Sequence, residues 1–322
     1  MRQFAKPTIV VSKCLEFDAC RYNGEMIPDV TIRNLQPFVT FIPVCPEVEI
    51  GLGTPRETIR IVEENGENRL VQPSTREDVT EKMEQFSNDF LQTIPDVDGF
   101  ILKNRSPSCG TRDVKIYSGF EKAPAKGKGS GLFGGAVIKN FSHLPIEEEG
   151  RLSNFIIREH FFTRLFTIAY YKMIKHNKNM KDLVSFQSDN KYLFMAYNQV
   201  KQKELGRIIA NHKNEKIEVV FENYEKTLYE LFMRTPRYTS NVNVCEHIFG
   251  YFKTKLKKQE KDHFIELLQK YAEKKIPLSS LLTILKSWAI RFDEKYLLRQ
   301  TYFEPYPEAL VEISDSGKGR DY

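Results

Sequence analysis

Phe38-Val39-Thr40-Phe41-Ile42-Pro43-Val44 runs straight into Cys45, and the arrangement recurs: Cys14 follows Thr8-Ile9-Val10-Val11, and Cys109 comes shortly after Phe100-Ile101-Leu102. Short, almost continuously apolar runs read as buried strands of a parallel sheet. In such a sheet the carboxyl ends of the strands share one edge, where open α/β folds place their ligands. Cys14, Cys45 and Cys109 are therefore expected to converge, although they are 31 and 64 residues apart in the chain. Three thiolates suit a soft metal, and a fourth position left open suits catalysis better than a closed structural site. The spacing lacks the CxxC pairs of a zinc ribbon, so three buried, unreactive cysteines are the alternative.

Working outward, β-like runs alternate with helical stretches such as Thr80 to Thr93 as far as Glu147-Glu148-Glu149-Gly150-Arg151-Leu152. That alternation is the βαβ signature. Beyond it glycine thins out, and stretches such as Phe155 to Phe162 and His263 to Leu268 carry helical periodicity. The expected architecture is α/β, a Rossmann-like parallel sheet with flanking helices over residues 1–152, followed by a mostly α-helical domain over 153–322. No internal repeat is evident, and Ser314 to Tyr322 reads as a frayed polar tail.

A chain of 322 residues can hold two cored domains, and 41% hydrophobic with 28% charged residues is ordinary for a soluble protein. Met1-Arg2-Gln3-Phe4-Ala5-Lys6 has no apolar signal-peptide core, and no span approaches 18 uncharged apolar residues. The expectation is a cytoplasmic protein without disulfides and without a membrane segment. Charge divides the chain: 18 basic against 22 acidic residues up to position 150, and 30 against 21 beyond it. A net of −4 followed by +9 points to a polyanion-binding module behind a chemical one. A lysine-rich helical domain that merely stays soluble is the alternative.

The words around the cysteines are more specific. Ser12-Lys13-Cys14-Leu15, Arg21-Tyr22-Asn23-Gly24, Pro43-Val44-Cys45-Pro46-Glu47, Gly51-Leu52-Gly53-Thr54-Pro55-Arg56, Asp78-Val79-Thr80, Lys103-Asn104-Arg105-Ser106-Pro107-Ser108-Cys109-Gly110 and Gly131-Leu132-Phe133 occur in order. Together they closely resemble the DUF523 family, whose characterised relatives are thiouracil desulfidases with a 4Fe-4S cluster on three cysteines. The resemblance covers roughly residues 5–155 and implies that Cys14, Cys45 and Cys109 hold such a cluster with its fourth iron free.

The second half resembles the DUF1722 family through Tyr192-Leu193-Phe194-Met195-Ala196, Glu204-Leu205-Gly206-Arg207, Asn243 to Lys253, Tyr296-Leu297-Leu298-Arg299-Gln300 and Pro305-Tyr306-Pro307. The fused arrangement is similar to the tRNA 4-thiouridine desulfidases, which implies thiolated tRNA as substrate. One departure stands out. Where that family usually reads Phe-His-x-x-His-Lys and then Ala-His-Ser, this chain has Phe186-Gln187, Asn190-Lys191 and Ala196-Tyr197-Asn198.

The residues themselves set out a chemistry. A thiocarbonyl sulfur is soft, and an open iron can polarise it as a Lewis acid, leaving the carbon open to water. A general base is then needed, and Glu47, two residues beyond Cys45, is the best-placed carboxylate; a strand-end salt bridge is its alternative role. Ser106 and Ser108 flank Pro107, where hydroxyls can bond cluster sulfides or relay a proton, or can simply satisfy the backbone of a rigid turn. Arg21, Arg56 and Lys103 are candidate substrate or anion contacts, or solvated charges.

Gly127-Lys128-Gly129-Ser130-Gly131-Leu132-Phe133-Gly134-Gly135 lacks the GxxxxGK[ST] order and reads as a flexible loop opening a tightly packed helix. No P-loop and no SGGxDS loop occurs, so no nucleotide cofactor is expected. Sulfur insertion normally needs ATP, so their absence favours sulfur removal. Cys20 is a spare ligand, a redox partner or an idle thiol, and Cys245 a core residue. His247 lies in a DUF1722-like word; His143, His160, His176, His212 and His263 form no ligand pattern.

For RNA contact the candidates are Lys172 and Lys175, continued at three-residue intervals by Lys178 and Lys181 beside Tyr170 and Tyr171, and Lys253 and Lys257 among Lys255 and Lys258 beside Tyr251 and Phe252. Basic residues with interleaved aromatics suit phosphates and a displaced base, and solvated helix faces are the plain alternative. Two runner-up functions stand beside tRNA desulfidation: a desulfidase of free bases such as 2-thiouracil, and a non-catalytic metal- or RNA-binding protein. The sequence sets no oligomeric state.

Overall fold

A computed structural model describes residues 2–120, 124–211 and 214–312; His212 and the tail from Ser314 to Tyr322 lie outside them. The chain order begins β1 (Thr8–Ser12), α1 (Val30–Leu35), β2 (Thr40–Val44), the single turn α2 (Pro46–Glu49), β3 (Arg60–Glu64), β4 (Glu67–Gln72) and β5 (Glu77–Asp78). It continues through α3 (Thr80–Thr93), β6 (Gly99–Leu102), β7 (Val114–Tyr117), β8 (Ala125–Gly129), α4 (Leu132–Phe141), β9 (Ile146–Glu148), α5 (Glu149–Leu152) and α6 (Phe155–Asn177). Two compact units result. One takes in residues up to Ala169 and resumes at Pro307, and the other runs Tyr170–Tyr306.

The first unit is built on an all-parallel sheet in the order β2-β1-β6-β9. β1 and β6 are its central strands, and Ile9, Val10, Val11, Phe100, Ile101 and Leu102 are fully buried, as strands covered on both faces require. β2 departs from the buried strand that its sequence suggests: it is the sheet edge, with Thr40 and Pro43 exposed. The reason is Pro43, which has no N–H to give and is tolerated only at an edge. Phe41 is covered from the side by Phe17, ring centroids 5.2 Å apart.

β9 comes from the acidic run that looks like a linker. Its three carboxylates are all engaged, one by α5 and two by the connection from β6 to β7. Glu147 pairs with Arg151 at 2.7 Å, Glu148 accepts from the Thr111 amide at 2.7 Å and its hydroxyl at 3.0 Å, and Glu149 accepts from the Asn104 amide at 2.7 Å and binds Lys103.

A second, mixed sheet in the order β5-β4-β3-β7-β8 was not anticipated by the apolar pattern, because its strands are short and largely polar. Its hairpin between β3 and β4 turns at Asn65-Gly66, both at positive φ (52° and 86°), the conformation in which an Asn-Gly pair matches strand twist. Gly127 and Gly129 belong to β8 rather than to a loop. α3 begins where the Asp78 carboxylate accepts from the Thr80 amide at 2.9 Å, and it buries Met83, Ser87 and Leu91 along one face.

The second unit is helical: after the end of α6 come α7 (Met180–Asp189), α8 (Lys191–Tyr197), α9 (Gln199–Ala210), α10 (Ile217–Leu231), α11 (Tyr238–Gly250), α12 (Lys258–Ala272), α13 (Leu278–Arg291) and α14 (Lys295–Leu298). Tyr171, Phe186, Phe194, Phe221, Tyr224 and Phe232 lie at its centre. Among the described residues no helix is long and apolar enough to cross a membrane.

The positions that lack the DUF1722 histidines lie in or against this core. Gln187 is buried and accepts from the Tyr224 hydroxyl at 2.6 Å; Asn190 is buried, donating to the Phe186 carbonyl at 2.8 Å and accepting from Thr301 at 2.7 Å. Tyr197 packs edge-on against Phe232 at 4.7 Å, and Asn198 caps α9 through the Val200 and Lys201 amides at 3.1 Å. These side chains shape the unit's packing. Gln187→Met, similar in size but without the acceptor, leaves the buried Tyr224 hydroxyl unmatched. Urea unfolding is expected to show a loss of about 1–3 kcal/mol.

In the first unit the buried Arg158 guanidinium donates from Nη1 to the Leu152 carbonyl at 2.7 Å and from Nη2 to the Glu312 carbonyl at 2.6 Å. The returning segment thus closes onto the start of α6.

Candidate active site at the carboxyl edge of the parallel sheet

The register of the sheet aligns Ser12 with Val44 and Val11 with Ile101, so β1, β2 and β6 stop together. Cys14 lies two residues past β1, Cys45 follows β2 directly, and Cys109 lies in the loop after β6. Ser12, buried, ties two of these ends: its hydroxyl accepts from the Lys103 amide at 2.9 Å, and it favours the ionised form of the Cys109 thiol. Ser12 was not singled out by sequence reasoning. Its one signal is position, a lone hydroxyl ending an apolar strand.

The Cys109 loop is held from two sides. Ser106 Oγ accepts from the amides of Ser108 at 3.2 Å and Cys109 at 3.1 Å, so its hydroxyl closes the local turn. On the other side the first turn of α4 supplies amides that have no partner within the helix: Leu132 donates to the Pro107 carbonyl at 3.1 Å and Gly134 to the Ser108 carbonyl at 2.9 Å. Gly131, just before it, donates to the Gly110 carbonyl at 2.7 Å. This close approach is why glycine occupies position 134, where a Cβ would stand 2.3 Å from the Gly110 oxygen and 2.5 Å from the Cys109 oxygen.

All five cysteines are free; Cys14 is half-buried and the rest are buried. Cys20 lies close to two of the predicted ligands: Cys14 and Cys45 both perturb its thiol, and Cys45 Sγ is 3.8 Å from the Cys20 carbonyl oxygen. The hydrogen bond with Cys14, with burial behind it, pushes Cys20 up to about 11. Contact with Cys20 and burial raise Cys45, and burial above all raises Cys109, with the nearby Glu47 carboxylate adding to the effect. These groups stand as protonated thiols until a cation draws the protons off. Among the described residues no three His, Cys, Asp or Glu side chains form a group able to hold a single metal ion.

Glu47 projects from α2 immediately after Cys45. Oε1 accepts from the Ser108 hydroxyl at 2.9 Å, and Oε2 accepts from Arg56 Nε at 2.9 Å and Nη2 at 2.6 Å. The salt bridge thus takes one Glu47 oxygen and the serine the other. Ser108 is fully buried.

Arg21 sits in the turn after Cys20, half-buried over the Tyr22 ring at 5.5 Å and 3.6 Å from Glu25. Lys103, at the end of β6, is ion-paired with Glu149 and also reaches Asn104. The site therefore brings together Cys14, Cys45, Cys109, Glu47, Ser108 and Arg56, with Arg21 and Lys103 each engaged by a neighbouring carboxylate. In the helical unit Lys175 pairs with Glu225 at 2.7 Å, Lys253 lies over Phe249 at 5.7 Å, and Lys257 precedes α12 as its cap residue. Lys172 lies on α6, whereas Lys178 and Lys181 lie beyond its end at Asn177, which interrupts the three-residue row.

Comparison with known proteins matches residues 9–149 to the family model described as 2-thiouracil desulfurase and residues 191–307 to DUF1722, a protein family of unknown function. The chain is 34% identical over 147 residues to the uncharacterized protein YbbK of Bacillus subtilis (strain 168), covering 44% of this chain and 95% of YbbK. It is 23% identical over 156 residues to the uncharacterized protein YbgA of Escherichia coli (strain K12), covering 48% of this chain and 92% of YbgA. Among solved structures it is similar to the [4Fe-4S]-dependent thiouracil desulfidase TudS, with 26% identity and a TM-score of 0.36 over 46% of this chain and 93% of that one. With a family match spanning all three strand-end cysteines and nearly the whole of YbbK covered, the chain belongs, through residues 9–149, to the 2-thiouracil desulfurase family of enzymes.

Proposed function

We propose that this enzyme is an iron-sulfur desulfidase that converts 4-thiouridine in tRNA to uridine with release of hydrosulfide. The observation that carries the reading is the 2.9 Å bond from Ser108 to Glu47, made across 61 residues at the edge where Cys45 and Cys109 also arrive. The donor set fits a cluster on Cys14, Cys45 and Cys109: three free soft ligands on separate loops at one sheet edge. Each thiolate of a multi-iron cluster binds a different iron, so its sulfurs stand farther apart than those around one ion.

When bound, such a cluster with one iron free of protein supplies a soft Lewis acid for a thiocarbonyl sulfur. The protein supplies the proton chemistry. Water attacks the thiocarbonyl carbon, and its proton passes through the Ser108 hydroxyl to Glu47 Oε1. The carbon–sulfur bond then breaks and sulfur leaves as hydrosulfide. Overall, thiocarbonyl and water give carbonyl and hydrogen sulfide. Free thiols throughout the site suit a reducing cytoplasm.

The tRNA substrate is supported by the DUF1722 match and by the net +9 of the second half, with Lys172, Lys175, Lys253 and Lys257 as phosphate contacts. Free 2-thiouracil is the second reading, favoured by the family's description. Protein whose cluster has been rebuilt anaerobically is incubated with tRNA carrying 4-thiouridine, and the near-ultraviolet thiocarbonyl absorbance and released sulfide are followed. Loss of that absorbance, abolished by Cys45→Ala, is expected. Turnover of free thiouracil alone would reassign the helical unit, and inactivity on both with an intact cluster would leave a binding protein.

A further inference from the structure

We infer that Arg56 is a positioning residue, a cation that holds Glu47 toward Ser108 and fixes the Cys20 backbone to the same site. Its side chain is 4% exposed, which is rare for arginine and tolerable only when the charge is matched. Nε and Nη2 both bind Glu47 Oε2, while Nη1 donates to the carbonyls of Cys20 and Gly53 at 2.9 Å each and reaches the Thr54 hydroxyl at 3.4 Å. The Arg56 amide donates to the Tyr22 carbonyl at 2.8 Å. Three backbone segments, the turn after Cys20, the Gly53-Thr54 stretch and α2, therefore meet on one guanidinium.

The geometry replaces the expectation that Arg56 contacts substrate. Its nitrogens face protein acceptors, so little of the fork is free for an anion. With Oε2 taken twice by Arg56, Glu47 presents Oε1 to Ser108. The Cys20 carbonyl that Arg56 binds is the one facing Cys45 Sγ, so the same contact steadies the thiols. Lysine keeps the charge but has no fork with which to bridge a carboxylate and two carbonyls.

The catalytic part of this inference rests on the desulfidase reading, so the test has two arms. In steady-state desulfidation of free 2-thiouracil and of thiolated tRNA, Arg56→Lys is expected to lower kcat by about 10- to 100-fold, as loss of an orienting partner does, with KM nearly unchanged. On a Glu47→Gln background the same change should cost less than about twofold, since two residues acting through one contact do not add. A raised KM with unchanged kcat, or losses that multiply, would overturn the assignment.

The second arm needs no activity. Cluster-free wild type and Arg56→Lys are labelled with iodoacetamide and mapped by mass spectrometry, with Cys245 in the helical unit as internal reference. Cys20 should label several-fold faster in the variant while Cys245 stays unchanged; unchanged Cys20 labelling would overturn the inference. An inactive wild type would defeat the desulfidase reading, while the labelling result would still decide Arg56.

Discussion

Glu47→Gln is expected to keep the cluster's visible absorption and lose about 10²- to 10⁴-fold in turnover, the range that a positioned general base contributes. The change is almost isosteric, so α2 and the neighbouring Cys45 keep their places. What is lost is the ability to take a proton and the charge that matches buried Arg56, so thermal unfolding of the variant is followed beside its turnover. The Gln amide oxygen can still accept from Ser108 Oγ or from Arg56, so binding is retained and KM should change little. The measurement is sulfide release per cluster, with iron content determined in the same sample. Wild-type turnover in Glu47→Gln would remove Glu47 from the chemistry and leave it as the salt bridge to Arg56. Ser108→Ala, which interrupts the relay without touching Arg56, should fall in the same direction by a smaller factor.

Gly134→Ala is expected to abolish cluster assembly while most of the chain stays folded. The new Cβ meets the backbone oxygens of Gly110 and Cys109 at 2.3 and 2.5 Å, distances at which backbone must move. Either α4 withdraws, leaving the carbonyls of Pro107 and Ser108 without the amides they now hold, or the loop bends and takes Cys109 with it. Both outcomes cost stability, on the order of 1–3 kcal/mol as for other overpacked sites. Gly206→Ala is the control: Gly206 lies within α9 with nothing near its missing Cβ, so that variant should be unchanged or stabilised by about 0.5–1 kcal/mol. Iron and acid-labile sulfide per chain, with thermal unfolding of each variant, decide the matter. A full complement of iron in Gly134→Ala would show that the Cys109 loop is not held by α4.

How much of this was legible follows from the physics of each signal. The strand-end placement of Cys14, Cys45 and Cys109 was readable because buried parallel strands declare themselves as apolar runs. α3 was readable to the residue because its polar-to-apolar period is regular. β2 was misread as buried, since an apolar run alone does not tell an edge from a centre; Pro43 carried that information. The second sheet was missed for the opposite reason, its strands being polar, although Asn65-Gly66 between Ile61-Val62 and Leu70-Val71 is a strong hairpin signal that went unread. The acidic run at Glu147-Glu148-Glu149 was taken as a boundary because charge usually means solvent. Glu147 instead pairs with nearby Arg151, and Glu148 and Glu149 have partners that only the fold supplies. The same holds for Arg56, whose neighbours Glu47 and Cys20 are local in space but not periodic in sequence.

The closure of residues 307–312 onto the start of α6 bears on the order in which the enzyme is completed. A ribosome makes the cysteine-bearing unit first, and the chain from Tyr170 to Tyr306 must be synthesised before Glu312 exists to meet Arg158. The catalytic half can therefore collapse early around β1 and β6, but the Arg158–Glu312 bond closes only after the chain from Tyr170 to Tyr306 has been made. Maturation of the two halves is coupled in time by the path of the polypeptide.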